Sequence, residues 1–185
     1  QRHRLGISHD HAELIAEDVS EVVHSAASVS FTLPLAQARS INVDGTRRVA
    51  ELAARCAARG DGLRRFLHVS TAYVAGTHGG LFEEDDPGSR VRFRNTYERS
   101  KREAERVVRA HASNFPVQVA RPSIIVGDRV TGWTPEFNVL YWPLKAYVRG
   151  QLPAIPADPA SPVDVVSVDY VADGIMALAD APAGT

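Results

Sequence analysis

Short apolar runs rich in β-branched residues alternate with long amphipathic stretches along this chain of 185 residues. "EVVHSAA" (21–27), "RFLHVSTAYV" (65–74), "VQVARPSIIVG" (117–127) and "PVDVVSVD" (162–169) read as strands, the third broken at Pro122. Residues 33–60, 97–112, 133–150 and 170–180 read as helices. Gly60 is a stop past the first, and Asp169 is the N-cap of the last. Strands and helices that alternate in this way need crossover connections, hence a mostly parallel sheet covered on both faces. The expected fold class is α/β, doubly wound. Ligands of such sheets sit beyond the carboxyl ends of the strands, which points to Ser25–Ala27, Ser70–Tyr73 and Arg121–Gly127.

Composition narrows the partners. A formal net charge of -1 gives no global field toward nucleic acid or an anionic membrane. Cys56 is the only cysteine, so no internal disulfide or thiolate metal cluster is expected, in keeping with a reducing cytosol. No apolar run approaches the ~20 residues of a membrane helix, and "QRHRLGISHDH" lacks the apolar core of a signal peptide. A cytoplasmic protein with no membrane span and no metal is expected. His24 and His68 lie inside strands and read as core histidines, and His3, His9 and His11 lack the further ligands of a zinc site.

The 97–112 helix carries a conflict. Tyr97, Lys101, Ala104, Val108 and His111 fall on one stripe, the apolar one. Glu98–Arg102 and Glu105–Arg109 have the spacing of surface ion pairs, but Lys101 would be buried, which is costly without partners. A nearby ammonium lowers the pKa of a phenol by ~1–3 units and makes it a usable general acid or base. Taken alone, the pair equally suits a packed tyrosine and a lysine whose head reaches solvent. Ser70 and Thr71 end the preceding strand, where a substrate carbonyl would lie, or form a plain polar turn. The small residues Ser25, Ala26 and Ala27 suit a dinucleotide close to the backbone, or tight helix–sheet packing. Asn42 and Gly45 are both unfavourable inside a helix. Gly45 suits close helix approach, and Asn42 suits a polar role beneath the site.

The ordered set "VVHSAASVSF", "NVDGT", "VSTAYVAG", "YERSK" and "ARPSIIVG" resembles the extended short-chain dehydrogenase/reductase superfamily. The segments 24–46 and "GWTPEFN" are similar to its fatty acyl-CoA reductase and thioester reductase branch. The resemblance spans about residues 20 to 175 and implies a Rossmann-like domain binding NADP or NAD. It implies Tyr97 as proton donor and Lys101 as its pKa tuner and ribose ligand. Thr71 would be the carbonyl's hydrogen-bond partner, with Ser70 second, and Asn42 would support a water or backbone contact behind the lysine. Ser25, Ala26 and Ala27 would line the dinucleotide, and Pro122, Ser123 and Ile124 the nicotinamide amide. The implied reaction is hydride reduction of a carbonyl, an acyl thioester or the derived aldehyde, free or carrier-bound. A sugar-nucleotide epimerase or dehydratase of the same fold is the enzymatic alternative. A non-catalytic relative or inactive fragment is the other.

One departure stands out. No G-x-x-G-x-x-G or G-x-G-x-x-G turn occurs in these residues, so the chain is expected to be part of a longer protein that enters the fold at its fourth strand. Residues 1–185 are expected to form a single partial dinucleotide-binding domain. Within it, 128–162 would begin a substrate-binding insertion, and "FNVLYWPLKAYVRG" would wall an acyl pocket or pack as a helix. The strand at 21–27 would lose a neighbour, so a homodimer is possible through its edge. Arg90, Arg92, Arg94, Arg99 and Arg102 would be a solvated surface, or a landing site for coenzyme A phosphates or an acidic carrier protein.

Overall fold

The computed structural model describes residues 3–86, 91–134, 140–155 and 157–181. Two compact units divide the chain: Gln1–Arg121 with Leu178–Thr185, and Pro122–Ala177. The expected 128–162 segment falls in the second.

In the first unit the order is α1 (His9–Asp18), β1 (Glu21–His24), α2 (Leu35–Ala57), β2 (Arg65–Val69), α3 (Thr96–Arg109) and β3 (Val117–Ala120). The three strands form a parallel sheet in the order β1-β2-β3, with His24 opposite His68 and Val69 opposite Ala120. Successive crossovers in one direction put their helices on one face, and α2 and α3 pack against each other there. The buried stripe of α2 includes Ala38, Asn42, Thr46, Ala50, Ala53 and Cys56, whose small side chains admit the sheet and α3. Ala16, Ala53, Cys56, Leu63, Phe66, Val108 and Phe115 form the core beneath. Among the described residues β1 pairs with β2 alone, and Val23 is 53% exposed.

The strands are shorter than their apolar runs. β1 stops at His24 and leaves Ser25–Ala27 in the loop beyond it, while β2 stops at Val69 and residues 72–75 turn into a 3-10 helix. The 117–127 run splits into two strands on either side of Arg121–Ser123; proline cannot donate to a ladder. Helix α1, not signalled by the strand–helix alternation, is capped by Ser8, whose hydroxyl accepts from the His11 amide. Gly60 does more than end a helix. It holds φ +51°, and a Cβ there would meet the Glu17 carbonyl. Gly45 has open space around it, so it is not there for the expected close helix approach.

The second unit contains β4 (Ile124–Val126), α4 (Tyr141–Val148), β5 (Val165–Ser167) and the first ten residues of α5 (Val168–Asp180). β4 and β5 pair in parallel, with Ile124 opposite Val165. Asp128 closes a turn by accepting from the amides of Val130 (3.0 Å) and Thr131 (2.7 Å). Asp169 is not the cap of α5. It lies in the helix's first turn, where its carboxylate accepts from the Arg129 amide and pairs with the Arg129 side chain. The expected 133–150 helix is realised as α4, and Phe137, Asn138 and Val139 lie outside the described residues. Among the described residues no helix is long and apolar enough to cross a membrane.

Candidate functional site

The site begins with how α3 starts. The Asn95 side chain accepts from the Glu98 amide at 2.9 Å, and the Glu98 carboxylate accepts from the Arg94 amide and the Asn95 side-chain NH₂. This reciprocal cap fixes the first turn. Thr96 adds a third tie, its hydroxyl donating to the Leu33 carbonyl at 2.8 Å. Glu98 is thus buried in a cap, not paired with Arg102 on the surface.

From that anchored turn, Tyr97 and Lys101 project one turn apart. Lys101 is 3% exposed, and its ammonium donates to the Val69 carbonyl at 2.8 Å. Burial pushes its pKa down to about 8, against the opposing pull of the Glu105 carboxylate. Tyr97 is half-buried. Burial pushes its phenol up, a hydrogen bond with Thr71 acts the other way, and Tyr73 adds to the rise. The expected downward push from Lys101 is therefore corrected. The ammonium is committed to a main-chain carbonyl, and desolvation governs the phenol.

Thr71 is 4% exposed and lies where β2 ends. Its side chain caps the 3-10 turn by accepting from the Tyr73 amide and meets Tyr97. Ser70 is held elsewhere: its amide donates to the Ala120 carbonyl, and its buried hydroxyl makes no hydrogen bond among the described residues. Asn42, 2% exposed, is a clasp. It accepts from the Ser28 amide at 2.8 Å and donates to the Ser28 carbonyl at 3.1 Å and the Ser100 hydroxyl at 2.9 Å. Ser100 in turn donates to the Tyr97 carbonyl. The backbone that Asn42 supports is thus the loop after β1. Ser25 and Ala26 are exposed there and Ala27 is half-buried. The same loop carries Phe31, stacked on Tyr97 with ring centroids 5.4 Å apart.

His24 and His68 are buried as expected, the former bonded to the Thr46 hydroxyl at 2.9 Å. Thr46 donates its own proton to the Asn42 carbonyl, so His24 donates from Nε2. Burial, then the charge of Lys101, lowers its pKa to about 4. Pro122, Ser123 and Ile124 belong to the second unit, where the Ser123 hydroxyl donates to the Asp164 carbonyl.

Of the arginines of the expected basic surface, Arg92, Arg94 and Arg99 are exposed, and Arg102 is an internal tie. Arg102 is 3% exposed and bonds Glu105 and the Asp86 carbonyl. Arg121 forks onto both oxygens of Glu105 at 3.0 and 2.9 Å. Glu105 is fully buried, so it is not a surface partner of Arg109. Arg94 donates to the Gly76 carbonyl and Arg99 pairs with Glu103. Arg90 lies outside the described residues. Of the residues that shape the site, Asn95 was legible as a cap from "NTYE"; Phe31, Thr96 and Ser100 had no comparable signal.

A phenol next to a threonine hydroxyl, at the carboxyl edge of a parallel sheet, can donate a proton to a carbonyl oxygen placed near both. Residues 1–175 match the NAD-binding family described as male sterility protein. The fatty acyl-CoA reductase wat of Drosophila melanogaster is 33% identical over 95% of this chain, which spans 38% of that protein. The terminal R domain of the myxalamid PKS-NRPS pathway superposes with a TM-score of 0.83 at 27% identity, over 98% of this chain and 45% of its own. A UDP-glucuronic acid 4-epimerase from Bacillus cereus, solved with NAD, shares the fold at 20% identity and a TM-score of 0.73, over 97% of this chain and 54% of its own.

Proposed function

Since the chain belongs to the male sterility protein family of NAD-binding domains, we propose that it is the proton-donating part of an NAD(P)H-dependent reductase. The substrate is the carbonyl of an acyl thioester, free or carrier-bound, or of the derived aldehyde. One arrangement carries the reading: the Thr71 side chain acts on the Tyr97 phenol at the end of β2, and Lys101 is buried one turn further along α3. The relative named as a fatty acyl-CoA reductase supports the choice of substrate.

The residues present fit a nicotinamide cofactor at its ribose end. Past β1 the small side chains of Ser25 and Ala26 stand exposed, leaving room for a ligand close to the backbone. Lys101 donates one hydrogen to Val69, and an ammonium has three. Ser25, Ala26, Ala27, Tyr97 and Lys101, all in the first unit, would hold the cofactor. When bound, it supplies the hydride.

The chain's own work is positioning and proton transfer. Thr71 and Tyr97 donate hydrogen bonds to the carbonyl oxygen. As negative charge develops on that oxygen, the Tyr97 proton moves to it. Burial raises the phenol's pKa, so Tyr97 gives up its proton only as negative charge builds on the carbonyl oxygen. The Lys101 ammonium, tied to the Val69 carbonyl, would serve the cofactor's ribose. Tyr97→Phe keeps the ring and removes the proton. Assayed with acyl-CoA and with the aldehyde, it is expected to lower kcat ~10²-fold or more. Near wild-type turnover would refute the assignment.

A further inference from the structure

The loop between β1 and α2 is pinned on both sides of one aromatic residue. Three residues before Phe31, both backbone groups of Ser28 are held by Asn42 of α2. Two residues after it, the Leu33 carbonyl is held by Thr96, the residue preceding Tyr97. Asn42 reaches across to Ser100, whose hydroxyl holds the Tyr97 carbonyl. A closed circuit of side chains therefore fixes the Phe31 backbone relative to the first turn of α3.

What that circuit presents is a ring on a ring. Phe31 and Tyr97 lie 5.4 Å apart with planes inclined by 25°, within the range of offset stacking. Phe31 also meets Tyr73 edge-on, at 6.3 Å and 82°. Tyr73 sits in the turn that Thr71 caps, so Phe31 touches the elements carrying both carbonyl donors. Ordinary core packing does not explain this residue. It is half-buried, and Val29 in the same loop is 57% exposed, so the loop is not simply a hydrophobic plug.

We propose that Phe31 is a positioning residue for the Tyr97 phenol: its pinned ring fixes the orientation of the phenol ring and shuts water away from one of its faces. The proposal rests on Tyr97 being the proton donor. Orientation matters because a hydroxyl displaced by an ångström no longer meets the carbonyl oxygen together with Thr71. Water exclusion matters because burial is the main cause that raises the phenol's pKa. The groups that act on the phenol from neighbouring elements are the Thr71 hydroxyl and Tyr73, both after β2, while Lys101 on its own helix is tied to the Val69 carbonyl.

The test uses Phe31→Leu and Phe31→Tyr in the full natural protein, with Tyr97→Phe as reference. Phe31→Leu is expected to lower kcat about ten- to a hundredfold with little change in KM. With the phenol opened to water, the alkaline loss of kcat should begin at lower pH. Phe31→Tyr, which keeps the ring, should restore both. Independently of turnover, near-ultraviolet titration read as a difference against the matching Tyr97→Phe protein should show the Tyr97 phenol ionising at lower pH in Phe31→Leu. Wild-type kcat and an unmoved titration in Phe31→Leu, with Tyr97→Phe inactive, would overturn the proposal. So would a kcat loss that Phe31→Tyr does not restore. Turnover retained in Tyr97→Phe would instead defeat the proton-donor reading, and the titration would still report whether Phe31 shields that ring.

Discussion

Glu105 offers a sharp test of what holds α3 in place. Its carboxylate is fully buried and receives both prongs of the Arg121 fork, at 3.0 and 2.9 Å, plus Arg102 at 3.2 Å. Glu105→Gln keeps the shape, removes the charge and leaves two guanidinium groups facing one neutral amide. Breaking a buried ion pair from one side costs ~3–5 kcal/mol. The Arg121 side chain is 14% exposed and Arg102 keeps the Asp86 carbonyl, so the loss should lie near the low end, about 3 kcal/mol. Acid gives a second reading. Burial alone would raise this carboxyl, but Arg121 and Arg102 prevail and hold it below its ordinary value. For a carboxyl held low in the folded state, the stabilisation is present above the unfolded pKa and is lost as pH falls through the folded one. The deficit of Glu105→Gln should thus be full at pH 7 and fade below about pH 4. Urea unfolding at both pH values measures it. Because Arg102 and Arg121 also hold carbonyls of residues 83 and 86, proteolysis in that loop should quicken. A deficit under about 1 kcal/mol, the range of exposed pairs, would refute the reasoning. Glu103→Gln, at the half-exposed pair with Arg39, is the control and should cost less.

Two further outcomes concern the site. Lys101→Met should remove activity yet stabilise the fold at pH 7, since a lysine whose pKa falls from 10.5 to about 8 costs roughly 3 kcal/mol to keep charged. The lost bond to the Val69 carbonyl offsets about 1 kcal/mol of that gain. The unfolded state binds more protons between the two pKa values, so wild-type stability climbs with pH there and the mutant's advantage disappears above them; destabilisation at pH 7 in urea melts would contradict this. The 185-residue chain by itself should bind NADPH weakly and self-associate along β1, whose outer edge has no partner among the described residues. Calorimetry and sedimentation decide it, and a monomer with low-micromolar affinity would count against the expectation.

The burial of Lys101, Thr71 and Asn42, and the half-burial of Tyr97, were legible because their signals are local. A helical wheel puts Tyr97 and Lys101 on the buried stripe, and a strand's end marks Thr71. The partners were not legible. Glu105 has Arg109 one turn ahead, which is what spacing suggests; its true partner Arg121 is brought over by the crossover into β3. A wheel cannot show that the far flank of α3 is covered by residues 82–86, where Phe82 lies under both Arg102 and Arg121. Phe31 escaped notice for the same reason, since its stack on Tyr97 spans 66 positions of sequence (97 − 31). The strand ends were overread because apolar character continues past the last ladder hydrogen bond.

The acceptor for Lys101 is a main-chain oxygen, and every amino acid has one. Position 69 can therefore change identity without altering what the ammonium binds, provided β2 keeps its path. The anchor of the site is written in strand geometry instead of in a codon. Relatives could drift at position 69 while the lysine keeps its place, and a designer could vary that residue to tune packing under the sheet without touching the proton chemistry above it.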